Sequence, residues 1–318
     1  MTAYILRRLV ETLPVILISS ILIFLLLRAL PGDPALIIAG PDATPTVLAA
    51  VRRDLGLDQS LPVQYAVWLG RVLRGDFGTS FANKYPVADL IGSTFPATIQ
   101  LAAASMVIAL LIAFPTGIFS ALRERSVIDY TISTYNTLAL GIPNFWLGLL
   151  FMIVFALLLG WLPAGGRAMG QAGTLDQARF LVLPAFTLSF QVSAVISRFI
   201  KASLLEALAE DYLRTARAKG LREWAVVLRH ALPNALVPVV TVIALQFGRL
   251  LGGVVIIETV FAWPGMGRLM VQAISNRDYM VVQGCLLTLV AIFIAINLIT
   301  DVLYVFLDPR IRLGAGRV

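Results

Sequence analysis

The sequence predicts an all-α, polytopic membrane protein with six transmembrane helices, and three observations carry that prediction. Of 318 residues, 59% are hydrophobic and 14% charged, with a mean hydropathy of +0.88. A soluble domain carries roughly 25% charged residues. Six apolar stretches are long enough to span a bilayer. Between the fourth and the fifth stands a charged stretch, EDYLRTARAKGLREWAVVLRHALPNAL, that hydrocarbon does not accept.

A spanning helix needs about 20 apolar residues, because roughly 30 Å of hydrocarbon is crossed at about 1.5 Å per residue. Residues 9–30, 99–122, 132–159, 180–200, 237–261 and 281–306 meet that length. The first run is too long for the core of a cleavable signal and continues into RALPGDP without a small-residue cleavage pattern, so it reads as an anchor helix. The loop after it, 31–96, carries structure of its own. Thr44 and Pro45 stand as helix cap and first helical residue, Val47, Leu48, Val51 and Leu55 recur at helical spacing, and Gly56 stops the run. A second periodic run, 62–73, ends before Gly75. Together they predict a small helical cap on the extracytoplasmic face. In the third span Asn144 follows Pro143, which marks a kink whose freed backbone groups need partners.

Arginine and lysine near the span ends set the orientation. With a cytoplasmic N-terminus, Arg7 and Arg8, the Arg123 and Arg125 loop, the 201–229 stretch and the tail with Arg310, Arg312 and Arg317 all lie inside. Both termini are therefore expected to be cytoplasmic.

The stretch 201–229 cannot be a seventh span. Between Lys201 and Arg229 lie Glu206, Glu210, Asp211, Arg214, Arg217, Lys219, Arg222 and Glu223. Each charge costs about 2.5 to 3.5 kcal/mol at a helix centre, far more than an added Leu or Val returns. The pattern reads helix, break, helix. Leu205, Leu208, Tyr212 and Ala216 share one face, Gly220 supplies a cap, and Leu221, Trp224, Ala225, Leu228 and Leu232 continue an apolar face that Pro233 closes. Two readings fit: a helix pair lying on anionic headgroups, or a rigid charged element that docks into a groove of a cytoplasmic partner. Pattern alone does not separate them.

Several chemistries are excluded. The net charge of +7 comes without a basic stripe interleaved with aromatics, so no nucleic acid partner is expected and the excess charge is assigned to anionic lipid and topology. Cys285 is the one cysteine and His230 the one histidine, which leaves no disulfide framework and no Cys-based metal site, argues against zinc or haem chemistry and leaves little room for a catalytic triad, so no metal-binding or catalytic residue is assigned. Cys285 reads as a buried small hydrophobe, and His230 as a helix-end residue that packs or meets the helix dipole. No G-x-x-x-x-G-K-[ST] stretch is present to cradle ATP.

The ordered motifs resemble a known family. The spacing of Gly220, Leu232 and Pro233 is similar to the "EAA, then G, then I-x-LP" loop of ABC importer permeases, and EDYLRTARAKGL resembles its version in the peptide, opine and nickel subfamily. RRLVETLPVIL, RGDFGTSF, PVADLI, FPATIQLA, IPNFWLGLL, GGVVIIETVFAWPGMGRLMVQAISNRDY and DVLYVFLDPRIR agree, so the resemblance covers nearly the whole chain. It implies a type I ABC importer permease fold, one permease domain over 1–318 and a cytoplasmic coupling loop at 203–233. The function it implies is that of a permease subunit of an ATP-driven importer of di- or oligopeptides, with glutathione or nickel chelates as the alternative within the subfamily. The rival classes are an ATP-independent channel or secondary carrier, which has no need of a charged docking loop, and an intramembrane enzyme, for which no HExxH, GxSxG or paired aspartates are present.

The resemblance also implies partners and sites. The partners are a second homologous permease forming a heterodimer, two cytoplasmic ATPases that hold ATP and Mg, an extracytoplasmic substrate-binding protein, and the lipid of a bacterial or archaeal plasma membrane. No cofactor is expected on this chain itself. The implied ATPase-coupling residues are Asp211, Tyr212, Arg214, Thr215, Ala216, Lys219, Gly220, Leu221 and Pro233. Arg214 stands where the motif has its acid and His230 where it has an aliphatic residue, so an ATPase surface facing Arg214 is expected to offer a carboxylate or carbonyl.

Polar groups within spans are the candidates for the translocation pathway: Asn144, Gln191, Gln246, Arg249 and Glu258. Arg249 suits the C-terminal carboxylate of a peptide, or it is satisfied by a neighbouring subunit or by carbonyls of a polar cavity, and the second is the commoner arrangement. Gln191, with Ser193 and Ser197, lines a wet path or bonds between helices, again more often the latter. Trp263, Pro264 and Gly265 in FAWPGMGR are assigned to an outer gate or a binding-protein contact.

Overall fold

The computed structural model describes residues 2–29, 34–40, 43–54, 56–167 and 174–307. Leu55 and the tail arginines Arg310, Arg312 and Arg317 lie outside them, as does the start of the first loop. The described residues are helices joined by turns, with one isolated bridge between Thr79 and Pro86. In chain order the helices are α1 (Thr2–Ala29), α2 (Pro34–Ala39), α3 (Pro45–Asp54), α4 (Leu61–Val72), α5 (Val87–Leu122), α6 (Val127–Gly141), α7 (Asn144–Phe151), α8 (Thr174–Leu208), α9 (Asp211–Ala218), α10 (Glu223–Val226), α11 (Leu232–Val260), α12 (Met266–Ser275) and α13 (Tyr279–Leu307).

Among the described residues five helices are long and apolar enough to cross a membrane: Arg8–Leu26, Val87–Leu122, Asp176–Leu208, Glu223–Val260 and Tyr279–Thr300. The third predicted span is not one helix. α6 and α7 meet at 105°. Pro143 has no N–H and forces the preceding residue out of the helical region, so Ile142 sits at φ −85°, ψ 126°. The chain restarts at Asn144 and ends in a π-helical stretch, Met152–Leu158. Counted as one broken span, this pair is the sixth.

The chain divides into two compact units, Met1–Ala97 with Pro264–Ile294 and Thr98–Trp263 with Ala295–Val318. In the first unit, α3 begins at Pro45 as expected, and Gly56 after it takes φ +67°. α4 lies against α1 through an aromatic cluster in which Phe24 meets Tyr65 and Trp68, each at 5.5 Å between ring centroids. α5 begins at Val87, so the last part of the predicted 31–96 loop is already span helix. The core joins Val87 and Ile91 to Met266, Ala273, Val281, Val282 and the buried Cys285. Asp278, 2% exposed, fastens the preceding loop: its carboxylate accepts from Ser80 Oγ and from the Ala82 N–H at 3.2 Å.

In the second unit α8 is the central helix and packs against α6, α7 and α11. It is also the most enclosed span, 61% buried against 17% for the α1 span. α5 approaches it so closely at Gly117 that an added Cβ would stand 2.7 Å from the Ile200 side chain and 2.8 Å from the Ser197 carbonyl oxygen. Only glycine fits there.

Candidate functional site: the charged loop between α8 and α11

α8 continues past its predicted end to Leu208, so Leu205 and Leu208 belong to the spanning helix itself. A turn at Ala209 and Glu210 then starts α9. Leu213 and Ala216 of α9 are buried in one apolar cluster with Ala121, Leu204, Val226, Val227 and Ala231. Full burial of a leucine contributes about 1.5 to 3 kcal/mol. α9 is therefore fixed to the span ends by its apolar side. Asp211, Tyr212, Arg214, Thr215 and Lys219 stay exposed, whereas Ala216, predicted to join them in coupling, turns inward.

Gly220 breaks the helix at φ +78°, a left-handed conformation that costs an ordinary L-residue roughly 1 to 2 kcal/mol. Leu221 follows it, 41% exposed. Across the break Arg217 donates to the Glu223 carboxylate twice, Nε at 3.1 Å and Nη2 at 2.8 Å. That bond holds the guanidinium above its ordinary pKa. Arg214 reaches Asp211 at 3.3 Å, but side chains 78% and 91% exposed are screened by water and only loosely joined. Its charge stays available to a partner.

Pro233 does not close the second helix. α10 passes through a π-helical turn, Val227–Ala231, into α11, where Pro233 sits in the first turn. A proline inside a helix lacks the N–H owed to the carbonyl four residues back and crowds it, and a widened turn relieves both defects. The His230 carbonyl, within this turn, accepts from Tyr212 Oη at 3.3 Å and from Asn234 Nδ2 at 3.1 Å. Asn234 Nδ2 also donates to Tyr212 Oη at 2.8 Å. His230 thus serves the loop through its backbone, with its side chain exposed.

Sequence reasoning missed the group that braces the neighbouring turn. The Asp129 carboxylate, on α6, accepts from Ser120 Oγ on α5, from the Arg125 N–H at 3.0 Å and from Lys201 Nζ on α8. Ser126 caps α6 by accepting from the Asp129 N–H at 3.3 Å. The S-x-x-D spacing of Ser126 and Asp129 carried a capping signal; the distant Lys201 did not. Trp224 packs edge-on against Phe119 at 6.2 Å, beside a cavity of about 330 Å³ that Arg123, Ile128 and Glu223 also line.

The pathway candidates fall into separate arrangements. Asn144 Nδ2 donates to Gln191 Oε1 at 3.1 Å, Tyr135 Oη pairs with Ser193 Oγ at 2.7 Å, and Thr116 Oγ1 donates to Ser197 Oγ at 3.0 Å. All three α8 side chains bond to a neighbouring helix. Exposed Arg249 donates to buried Gln246 Oε1 at 3.3 Å, one turn away. Glu258 is 0% exposed and accepts from Thr98 Oγ1 at 2.7 Å, which puts it in the chain's interior rather than on an open surface. Trp263, 1% exposed, has the Arg167 guanidinium over its ring at 5.9 Å, and Gly265 is buried while Pro264 is half-buried. Among the described residues no three His, Cys, Asp or Glu side chains stand together as a metal site.

This architecture is that of an ABC importer permease. The inward-facing MetNI methionine ABC transporter has the same fold, with a TM-score of 0.57 at 17% identity over 69% of this chain and 96% of that one. Residues 1–102 match the N-terminal family of binding-protein-dependent transport system membrane components, and residues 113–313 match the binding-protein-dependent transport system inner membrane component family. The chain belongs to that family. It is 45% identical over 312 residues to the glutathione transport system permease protein GsiC of Salmonella choleraesuis (strain SC-B67), covering 98% of this chain and 99% of that protein. It is 43% identical to the probable peptide ABC transporter permease protein y4tP of Sinorhizobium fredii (strain NBRC 101917 / NGR234), covering 98% and 100%. It is thus a multi-pass inner-membrane permease component of a bacterial ABC importer of the peptide, opine and nickel type. The family implies ATPase and substrate-binding protein partners.

Proposed function

We propose that this permease imports short peptides, glutathione among them, and that α9 with the Gly220 break is the element through which a cytoplasmic ATPase moves it. The observation that carries the coupling reading is the two-sidedness of α9: Leu213 and Ala216 are buried against the span ends while Asp211, Arg214, Thr215 and Lys219 face outward. A push on that polar face is transmitted to α8 and α11, because Tyr212 is bonded to the turn that opens α11. Arg214 meets a carboxylate or carbonyl on the ATPase. ATP and Mg belong to that partner, and this chain hydrolyses nothing. Both termini and the α9 loop face the cytoplasm, the α2–α4 region faces the binding protein, and the second permease is a different, homologous chain.

The peptide class rests on the relatives named for peptide and glutathione transport. Reconstituted transporter with its binding protein and ATPases should take up labelled dipeptide or glutathione only with ATP. Substituting the exposed face of α9, Asp211→Ala with Arg214→Ala, should abolish uptake while the spans still assemble. ATP-independent flux through this chain alone would sink the importer mechanism.

A further inference from the structure

In the first unit a cavity of about 330 Å³ opens beside the end of α1. Three arginines line it, each from the last turn of a different helix: Arg28 of α1, Arg53 of α3 and Arg71 of α4. Asp76 is the one carboxylate in the lining, and its Oδ1 accepts from the Gly78 N–H at 2.9 Å. Arg28 has neutral company, donating to Gln64 Oε1 and lying 4.8 Å from the centre of the Phe24 ring. Among the described residues neither Arg53 nor Arg71 forms an ion pair. Three guanidinium groups against the one carboxylate leave the cavity with an excess of positive charge, which attracts an anion.

The surroundings say where that anion comes from. Arg28 stands two residues beyond Leu26, where the apolar α1 span ends. Tyr65 and Trp68 pack on Phe24 just below, an aromatic cluster suited to headgroup depth. The adjoining flank of α1 exposes Leu22 at 60%, Leu25 at 43% and Leu26 at 57%. An amphiphile with an anionic head and acyl tails meets both surfaces at once; a free inorganic anion leaves the leucines idle.

We propose that this cavity is a headgroup site for an anionic phospholipid, its phosphate taken by Arg28, Arg53 and Arg71 and its acyl chains lying along α1. Guanidinium binds phosphate through paired, charge-assisted bonds, so an anionic lipid is favoured over a zwitterionic one whose ammonium the arginines repel.

Native mass spectrometry of the assembled transporter, released from bilayers of equal phosphatidylglycerol and phosphatidylcholine, tests this. The wild type should keep phosphatidylglycerol selectively, and R53Q/R71Q should lose that retention by about tenfold or more. R53K/R71K, which keeps the charge but not the fork, should fall between them. Equal retention of the two lipids by the wild type overturns the proposal, as does unchanged retention in R53Q/R71Q. Displacement of the lipid by millimolar inorganic phosphate assigns the cavity to a soluble anion and overturns the lipid reading. If R53Q/R71Q does not assemble, the wild-type selectivity and the R53K/R71K value decide.

Discussion

Lys201 of α8 and Asp129 of α6 form an ion pair whose side chains are 24% and 8% exposed, and the same carboxylate holds Ser120 and the Arg125 N–H. One acid therefore ties together α5, the turn before α6, and α8. Asp129→Ala strands Lys201 and removes the two further bonds to Ser120 and the Arg125 N–H at once. Breaking a buried pair from one side costs about 3 to 5 kcal/mol, and the partial exposure of Lys201 sets the expectation near the lower figure. Denaturant unfolding of the purified permease measures it; a loss below about 1 kcal/mol would show that the hub is dispensable.

Tyr212 and His230 make opposite predictions although they share a hydrogen bond. Tyr212→Phe deletes the hydroxyl that reaches the His230 carbonyl, whereas His230→Ala leaves that carbonyl in place. The first should lower ATP-coupled uptake several-fold with a stability loss of about 1 kcal/mol. The second should leave uptake near wild type. A loss of uptake in His230→Ala as large as that in Tyr212→Phe would mean that the imidazole matters as well as the backbone, and unchanged uptake in Tyr212→Phe would remove the bond from the coupling path.

Two glycines separate strain from crowding. Gly220→Ala meets no atom within 4 Å, so its cost is the positive φ alone, roughly 1 to 2 kcal/mol. Gly117→Ala drives a Cβ to 2.7 Å from Ile200 and should cost more, by about 1 to 3 kcal/mol plus loss of the α5–α8 fit. Expression and thermal inactivation should rank them in that order.

The Arg217–Glu223 bridge spans the Gly220 break with side chains 39% and 56% exposed. An exposed pair contributes about 0.2 to 1 kcal/mol, so Glu223→Gln should barely change stability. Its expected effect is on coupling: without the bridge α9 and α10 move less as one, and the uptake achieved per ATP hydrolysed falls. R217E/E223R should restore part of that ratio. An unchanged ratio in Glu223→Gln would remove the bridge from the coupling path.

Much of this protein was legible from residue order because the bilayer imposes a simple rule. Apolar runs of sufficient length gave the spans, the insertion cost expelled 201–229 from hydrocarbon, and Pro45, Gly56 and Gly220 stand where helices start or break. Ordered motifs pointed to the permease family. Boundaries were less legible: α5 and α8 both outrun their apolar stretches, since a helix continues in water wherever packing and backbone bonds allow.

What the sequence determined by itself is composition-driven: the all-helical membrane class, the charged loop and the family. What only the tertiary structure decided depends on partners far apart in the chain. Pro143 announced a kink, but the 105° break is a matter of geometry. Pro233 looked like a terminator, and the π-helical turn let the chain run through it. Asp129 and Lys201, 72 positions apart, find each other only when α6 lies on α8. Local rules follow from backbone sterics and hydropathy, which neighbours in sequence share; a buried charge needs a partner that folding alone delivers.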